Sequence, residues 1–258
     1  MLISTKYDML HPPLLNRIIK EESHTKDPAK AAKTRLHQLY GAYVQGNSHK
    51  KTAALLDGLN DENITITAEA IMRLHASTKE RLPNLQEFYG FIASVVNHPE
   101  KIMDLGCGFN PFSIPLMPAE LRENLNSYHA YDIDTRTRDI LNRFFSFLGL
   151  PPTVDCADLA VETPAEEVDL ALLCKLLPVL EAQSPGRGFM LAREINARFL
   201  VITYPLKSLS GREKGMAKNY STAFEKAIAN SAMGNYTPIA NEKIGNELVY
   251  ILAKGRKS

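Results

Sequence analysis

The hydrophobic positions along the chain change their spacing near residue 100. Before it they recur at the period of a helix, for example at Leu36, Leu39, Tyr40 and Tyr43. After it, short apolar runs alternate with helical stretches, and the runs are KIMDL, SYHAYDI, TVDC, VDLALLC and ARFLVITY. This alternation is typical of a mostly parallel sheet covered by helices on both faces. We therefore predict an α/β domain over residues 99–258 behind a helical domain over residues 1–98.

Capping residues indicate where several helices begin. Asp27 is a good N-cap and Pro28 suits a first helical turn, so a helix is predicted from there. The Ser77 hydroxyl, three residues before Glu80, has the form of a capping box and predicts a helix from Ser77. The hydrophobic pattern adds shorter helices near residues 12–22 and 67–74.

The C-terminal stretch, YTPIANEKIGNELVYILAK, has a different pattern. It predicts two strands joined at Gly245 and Asn246, which is a hairpin. Such a hairpin would place antiparallel strands at one edge of an otherwise parallel sheet.

Composition narrows the class of protein. With 258 residues, 45% hydrophobic and 23% charged, the chain has the make-up of an ordinary globular protein rather than a disordered, collagenous or coiled-coil one. No run approaches the roughly 18 apolar residues of a membrane helix, and no stretch is typical of a signal peptide, so a cytoplasmic location is predicted. The three cysteines and seven histidines lack metal-ligand spacing, so no metal is expected.

Charge is nearly balanced overall but unevenly distributed. The formal net charge is +1, yet residues 1–51 hold 9 basic and 4 acidic residues, and residues 201–258 hold the same numbers. The middle, residues 52–200, holds 12 basic and 21 acidic residues. Basic ends suit a polyanion and an acidic middle suits a cationic or polyhydroxyl ligand. Chance variation among solvated helix faces is an equally good explanation of charge alone.

A glycine-containing loop follows the first predicted strand. Gly106 and Gly108 would let the backbone turn sharply and let a ligand approach without a Cβ in the way, although a plain strand-to-helix turn needs the same residues. The second strand ends at Asp132, where a carboxylate can bind ribose hydroxyls. The third ends near Asp158, which could accept from an adenine amino group or cap the next helix.

Phosphate fits this loop poorly. The third glycine of the dinucleotide fingerprint is absent, with Asn110 and Pro111 in its region, and Asp104 would repel a pyrophosphate. This disfavours a nicotinamide dehydrogenase. S-adenosylmethionine fits better, because its sulfonium and amino group favour acidic surroundings. Its carboxylate needs a cation, for which Arg81 is the candidate, with an ordinary surface charge as the alternative.

Six strings together resemble the aminoglycoside-resistance 16S rRNA methyltransferases, and more narrowly the Arm/Rmt group that methylates N7 of guanine 1405. They are HASTKER (75–81), DLGCGFNPFSIPLM (104–117), AYDID (130–134), LCKLLPVL (173–180), YPLKSLSGREKGM (204–216) and IGNELVY (244–250). The resemblance runs from about residue 30 to the end. It implies a class I methyltransferase with a Rossmann-like sheet, S-adenosylmethionine as cofactor, and an N-terminal helical extension that docks on the 30S subunit.

The resemblance also assigns roles to residues. It implies that the methionine end of S-adenosylmethionine lies near His75, Thr78 and Arg81, with Gly106 beneath the cofactor. Asp132 and Ile133 would hold ribose and adenine, Asp158 the adenine edge, and Leu173 to Lys175 the pocket floor. Together with the charge argument, the predicted cofactor residues are His75, Thr78, Arg81, Asp104, Gly106, Asp132, Ile133, Asp158, Leu173 and Lys175.

The predicted substrate is 16S rRNA in the 30S subunit, bound by a monomer. No general acid or base is expected, because guanine N7 carries a free lone pair. The loop residues expected to position the target are Lys207, Ser208, Leu209 and Lys214. The residues expected to bind the rRNA backbone are Lys20, Lys30, Lys33, Arg35, Lys50, Lys51 and Arg212.

Two other functions remain as alternatives. A methyltransferase acting on a decoding-site adenine is disfavoured because the strings HASTKER and GFNPFSIPLM match the guanine group. A ribosome-binding protein that keeps the fold without turnover is disfavoured by the intact glycine and acidic positions.

Overall fold

The computed structural model describes residues 7–41, 46–206, 216–230 and 232–255, with the backbone alone at 216–221 and 223. Its centre is a seven-stranded sheet in the order β3-β2-β1-β4-β5-β7-β6. The strands are β1 (Lys101–Leu105), β2 (Ser127–Asp132), β3 (Val154–Cys156), β4 (Val168–Cys174), β5 (Ala197–Pro205), β6 (Tyr236–Ile244) and β7 (Glu247–Lys254).

The strand directions confirm the predicted α/β class. Strands β1 to β5 are parallel, and helices lie in the connections from β1 to β2, from β2 to β3 and from β4 to β5. The C-terminal hairpin is confirmed: β6 and β7 are antiparallel, and β7 also pairs antiparallel with β5. Its turn passes through Gly245 at φ +53°, in the left-handed region that favours glycine.

Eleven α-helices lie in the described parts of the chain. Their bounds are α1 (Pro12–Glu22), α2 (Pro28–Leu36), α3 (Ser48–Asp57), α4 (Ile64–Met72), α5 (Ala76–Arg81), α6 (Leu85–Ala93), α7 (Ala119–Arg122), α8 (Thr135–Phe147), α9 (Leu176–Gln183), α10 (Arg187–Glu194) and α11 (Met216–Ala229). A π-helical turn, His37–Gly41, follows α2, and 3-10 turns cover Leu82–Asn84 and Asn110–Leu116. None of these helices has the length and apolar character to cross a bilayer.

The predicted helix starts are confirmed in one case and wrong in another. The Asp27 side chain accepts a hydrogen bond from the Lys30 backbone N–H at 3.1 Å, as an N-cap does. The capping box at Ser77 is not formed, because α5 begins one residue earlier and His75 is its N-cap. Glu80, the expected partner of Ser77, instead binds Lys175 and Asn246 with its carboxylate.

Each face of the sheet carries its own hydrophobic core. Along β4, Leu170 and Leu172 point into the core that contains Phe88 of α6. Ala171 and Leu173 point into the opposite core, beneath α9 and α10. Helices α3, α4 and α6 thus share a core with the sheet. The division into domains at residue 98 remains a prediction.

The first helices form a separate cluster that docks on the tip of β2. Tyr7, Leu10, Leu14, Ile18, Ala32, Leu36 and Tyr40 form this cluster, and Ile133 packs against it. The His11 backbone N–H donates to the Ile133 carbonyl at 2.7 Å, and the Thr135 N–H donates to the Met9 carbonyl at 2.9 Å. The N-terminal helices are therefore joined by backbone hydrogen bonds to the loop after β2.

Candidate cofactor and active site

A cavity opens at the carboxyl ends of β1, β2 and β4, the edge where open parallel sheets bind ligands. The loops after these strands and after β3 supply much of its wall, and α9, α1 and the π-helical turn supply most of the rest. Its lining residues are Leu14, Leu39, Tyr40, His75, Ser77, Gly106, Gly108, Asp132, Ile133, Thr137, Ala157, Asp158, Leu159, Ala160, Cys174, Lys175, Leu176, Val179, Leu180 and Gln183.

The loop after β1 depends on its glycines. Gly106 and Gly108 have φ of +64° and +49°, where a side chain is strained. A Cβ on Gly108 would lie 2.9 Å from Cε1 of His75, too close for the buried imidazole to remain in place. A Cβ on Gly106 would lie 3.0 Å from Cδ1 of Leu176. Glycine is therefore favoured at both positions because His75 and Leu176 leave little room for a side chain there.

Asp132 anchors the loops on both sides of the cavity. Its Oδ2 accepts a hydrogen bond from the Gly108 N–H at 2.8 Å. Its Oδ1 accepts from the N–H groups of Ile133 and Asp134, at 2.8 and 3.0 Å. Burial raises the pKa of Asp132 to about 6 despite these donors, and the neighbouring charge of Asp134 acts in the same direction. The carboxylate can still accept from a ligand, since its side chain lines the cavity.

His75 is a neutral wall of the cavity. It is buried, and its ring centroid lies 5.3 Å from that of Phe109. Burial lowers the pKa of His75 to about 4, and the positive charges of Arg81 and Lys175 add to the effect. The ring is therefore uncharged at neutral pH.

A buried charge cluster lies at one end of the cavity. Lys175, at φ +56°, binds the Glu80 carboxylate, and its Nζ lies 3.4 Å from Oε1 of Glu247. Arg81 donates to both carboxylate oxygens of Glu247 at 2.9 Å and to Oδ1 of Asn110 at 2.8 Å. Burial opposes ionisation of Glu247, but the two cations outweigh it and lower its pKa to about 2. The negative charge of Glu247 is thus shared between the positive charges of Arg81 and Lys175.

Six of the predicted cofactor residues line the cavity: His75, Gly106, Asp132, Ile133, Asp158 and Lys175. The other four are buried behind it. Arg81 is directed to Glu247, and the Thr78 hydroxyl donates to the Met72 carbonyl at 2.6 Å. Leu173 lies in the core on one face of the sheet.

Asp104, the fourth residue behind the wall, is completely buried. Its Oδ2 accepts from the Asn110 amide and the Tyr128 hydroxyl, both at 2.8 Å. Burial raises the pKa of Asp104 to about 6. Of the three carboxylates expected around a cationic ligand, the structure thus brings Asp132 and Asp158 to the cavity and holds Asp104 beneath the loop.

Two N-terminal residues bind the acidic groups around the cavity. Arg17 of α1 donates to both oxygens of Asp158, from Nε at 2.5 Å and from Nη2 at 3.0 Å. The Tyr40 hydroxyl donates to Oδ2 of Asp134, which also receives Arg136. The sequence pattern marked Tyr40 only as a helical core position. It gave no signal for Arg17, and it predicted Asp158 as an adenine contact or a helix cap but not as the partner of Arg17.

Most predicted rRNA-binding residues of the N-terminal segment are exposed, namely Lys20, Lys30, Lys33, Lys50 and Lys51. Lys30 and Lys33 share an open groove on α2 with His37. Arg35 is half-buried and pairs with Glu21 and Glu22 at 2.6 and 3.0 Å, tying α2 to α1. The positions predicted in the target loop, Lys207, Ser208, Leu209, Arg212 and Lys214, lie outside the described residues.

The cavity fits S-adenosylmethionine. Gly106 and Gly108 line the cavity without side chains of their own, and Asp132 presents an acceptor beside them. Apolar side chains from Ile133 and Leu159 line the wall near Asp158, as an adenine ring requires. The mostly parallel sheet, its antiparallel terminal hairpin and this cavity define a class I methyltransferase.

Comparison with known proteins identifies the family. The ribosomal RNA methyltransferase (FmrO) family model matches residues 3–251. A 16S rRNA (guanine(1405)-N(7))-methyltransferase of Serratia marcescens is 34% identical over 258 residues, covering 98% of this chain and 96% of the relative. The enzyme of the same name from Micromonospora rosea is 33% identical over 262 residues, covering 97% and 93%. The chain therefore belongs to the ribosomal RNA methyltransferase (FmrO) family.

Solved structures agree with this assignment. The 16S rRNA methyltransferase RmtF in complex with S-adenosyl-L-homocysteine has a TM-score of 0.82 and 31% identity, covering 96% of this chain and 93% of that one. The 16S rRNA methylase RmtB has a TM-score of 0.79 and 31% identity, covering 98% and 94%. The resemblance inferred from the sequence motifs is confirmed, and so is the class of enzyme, an S-adenosylmethionine-dependent rRNA methyltransferase.

Proposed function

We propose that this protein methylates N7 of guanine 1405 in the 16S rRNA of the 30S subunit and thereby confers aminoglycoside resistance. We further propose that it acts in the cytoplasm, as a monomer and without a metal ion. The observation that carries the proposal is the glycine- and Asp132-lined cavity at the carboxyl edge of the sheet. Near-full-length relatives that have this activity by name support the substrate.

The chain's own residues account for cofactor binding. S-adenosylmethionine supplies a methyl group activated by a positively charged sulfur. Asp132 would accept hydrogen bonds from the ribose, and Ile133 and Asp158 would contact the adenine. His75, Gly106 and Lys175 would surround the methionine end. Arg81 would serve the carboxylate only if its guanidinium shared its donors between that group and Glu247.

The reaction requires positioning rather than proton transfer. N7 of guanine is an unprotonated acceptor at neutral pH, so no residue has to remove a proton from it. Neutral His75 adds no positive charge near the attacking lone pair. Alignment of the reacting atoms can be worth roughly 7–11 kcal/mol. The target loop at 207–214, with Lys207, Ser208, Leu209 and Lys214, would hold the guanine.

Binding to the ribosome must also offset the free energy needed to flip the target base out of its helix. A base inside a helix is flipped out at a cost of a few kcal/mol. Contacts between phosphates and exposed lysines such as Lys30 and Lys33 would offset it, with Arg212 from the loop. Methylation leaves N7 positively charged and without its acceptor, which would repel a cationic aminoglycoside.

The test is methyl transfer from labelled S-adenosylmethionine to intact 30S subunits and to naked 16S rRNA. Chemical cleavage at N7-methylguanine then maps the product. We expect label in 16S rRNA with cleavage at guanine 1405. Label on an adenine would favour the alternative methyltransferase activity, and cofactor binding without any transfer would favour a non-catalytic ribosome-binding protein.

A further inference from the structure

The N-terminal helix α1 contributes directly to the cofactor cavity. Leu14 lines it from α1, and Leu39 and Tyr40 line it from the turn after α2. Leu14 is also part of the N-terminal hydrophobic cluster, against which the cavity residue Ile133 packs. Closure of the cavity on this side therefore depends on α1 remaining docked.

A charged contact holds α1 in this position. The guanidinium of Arg17 binds Asp158 through two parallel hydrogen bonds, the arrangement that fixes a carboxylate most firmly. Its Nη2 also donates to Oε1 of Gln183 at 3.1 Å, which joins α1 to the end of α9. The side chains of Arg17 and Asp158 are 15% and 3% exposed, so solvent screens their interaction only weakly.

The geometry leaves Asp158 available to a ligand. Asp158 lines the cavity, whereas Arg17 is not among the described residues that line it. A carboxylate has about four acceptor positions. The two bonds from Arg17 and one from the Ala160 N–H, at 3.2 Å, use three of them within the described chain. One acceptor position is therefore not used by these described donors, on a side chain that lines the cavity.

From these contacts we infer that α1 is a wall of the cofactor site and that Arg17 is a positioning residue, which orients Asp158 toward the amino group of the adenine. The inference rests on the proposed function, since it takes S-adenosylmethionine as the ligand. It gives the N-terminal helices a role in cofactor binding in addition to the proposed docking on rRNA.

Calorimetry with S-adenosylhomocysteine tests the inference. Arg17→Gln removes the charge and the paired donors, and affinity should fall about tenfold or more. Arg17→Lys, which keeps the charge but not the fork, should restore part of the loss. The matched control is Arg143→Gln, which breaks an ion pair with Asp57 between α8 and α3, away from the cavity, and should leave affinity unchanged.

A second ligand separates orientation of Asp158 from simple support of the helix. The purine analogue of S-adenosylhomocysteine has hydrogen in place of the 6-amino group. The unaltered protein should prefer the adenine form, and Arg17→Gln should lose most of that preference. Equal weakening of both ligands would overturn the orienting role, and unchanged or tighter binding by Arg17→Gln would overturn the inference as a whole.

Hydrogen exchange on the unaltered protein gives a readout that does not depend on any variant folding. Saturation with S-adenosylhomocysteine should slow amide exchange in residues 12–22. Unchanged exchange there, with the ligand bound, would contradict the wall assigned to α1. Failure of the unaltered protein to bind the ligand at all would instead contradict the proposed function.

Discussion

The backbone N–H of Gly108 donates to Oδ2 of Asp132 at 2.8 Å, so the loop after β1 is held by the residue that ends β2. The same carboxylate receives two further backbone donors from its own loop. One side chain therefore fixes both walls of the cavity where the ribose is proposed to bind.

Gly108→Ala should abolish or strongly weaken cofactor binding. The new Cβ would lie 2.9 Å from the His75 ring, and φ of +49° would cost a further ~1–2 kcal/mol. Calorimetry with S-adenosylhomocysteine measures the effect. Gly149→Ala is the matched control, because its φ is +71° but nothing lies within 4 Å of its Cβ. Gly149→Ala should lose a similar amount of stability from its strained backbone and keep full affinity for the cofactor. An equal loss of affinity in Gly108→Ala and Gly149→Ala would refute the steric explanation.

Cofactor affinity should fall as the pH drops below about 6, the pKa to which burial raises Asp132. Only the ionised form keeps all its acceptors, so affinity should decrease up to tenfold per pH unit below that value. Protonation of Asp132 does not weaken cofactor binding by unfolding the protein. Folding raises the pKa of Asp132, so the folded chain binds this proton more tightly than the unfolded chain does, and protonation stabilises the folded chain at low pH.

The control for the pH profile is a pair of variants. Asp132→Asn should bind weakly with a flat profile between pH 5 and pH 7, the range around the pKa of about 6 of Asp132. Asp104→Asn removes the other carboxyl that burial brings to a pKa of about 6, but Asp104 does not line the cavity. It should retain the pH dependence. A flat profile in Asp104→Asn would mean that Asp104, and not Asp132, causes the pH dependence of cofactor affinity.

Glu247→Gln should destabilise the protein by roughly 3–5 kcal/mol, because it leaves the buried cations Arg81 and Lys175 without their shared counter-charge. Urea unfolding measures the change. The control is Glu69→Gln, which breaks an exposed pair with Arg73 and should cost less than about 0.5 kcal/mol. Similar losses in the two variants would mean that Glu247 is not the balancing charge.

Charge reversal of Lys30 and Lys33 should weaken 30S binding and leave cofactor affinity unchanged. The two lysines are exposed on α2 and share one groove. The matched control reverses Lys101 and Arg198, which are exposed at the amino ends of β1 and β5, on the opposite edge of the sheet. Filter binding to 30S subunits at moderate salt should separate the two double variants. Equal binding would argue against α2 as the rRNA-contacting face.

The sequence predicted most of the sheet because its signals are local. The hairpin at Gly245, the runs of strands β1 to β5 and the carboxylate at the end of β2 each follow from neighbouring residues. The capping box predicted at Ser77 from the same kind of local signal is not formed. Ser77 and Glu80 have the right spacing, but Glu80 binds Lys175, a residue distant in sequence.

The parts of the site that could not be predicted are the long-range pairs. Glu247 opens an apolar strand, where a charge is costly unless paired, but nothing local identifies Arg81 as its partner. Likewise Arg17 and Asp158 are 141 residues apart, and only the docking of α1 brings them together. Pattern and spacing describe single elements, whereas these contacts depend on how the elements pack.

The most direct measurement of the central claim is methyl incorporation into 30S subunits that differ at one nucleotide. Subunits with guanine 1405 should accept one methyl group each from labelled S-adenosylmethionine. Subunits in which that guanine is replaced by cytosine should accept none. Equal incorporation into both, or none into either by protein that binds S-adenosylhomocysteine, would contradict the proposed function.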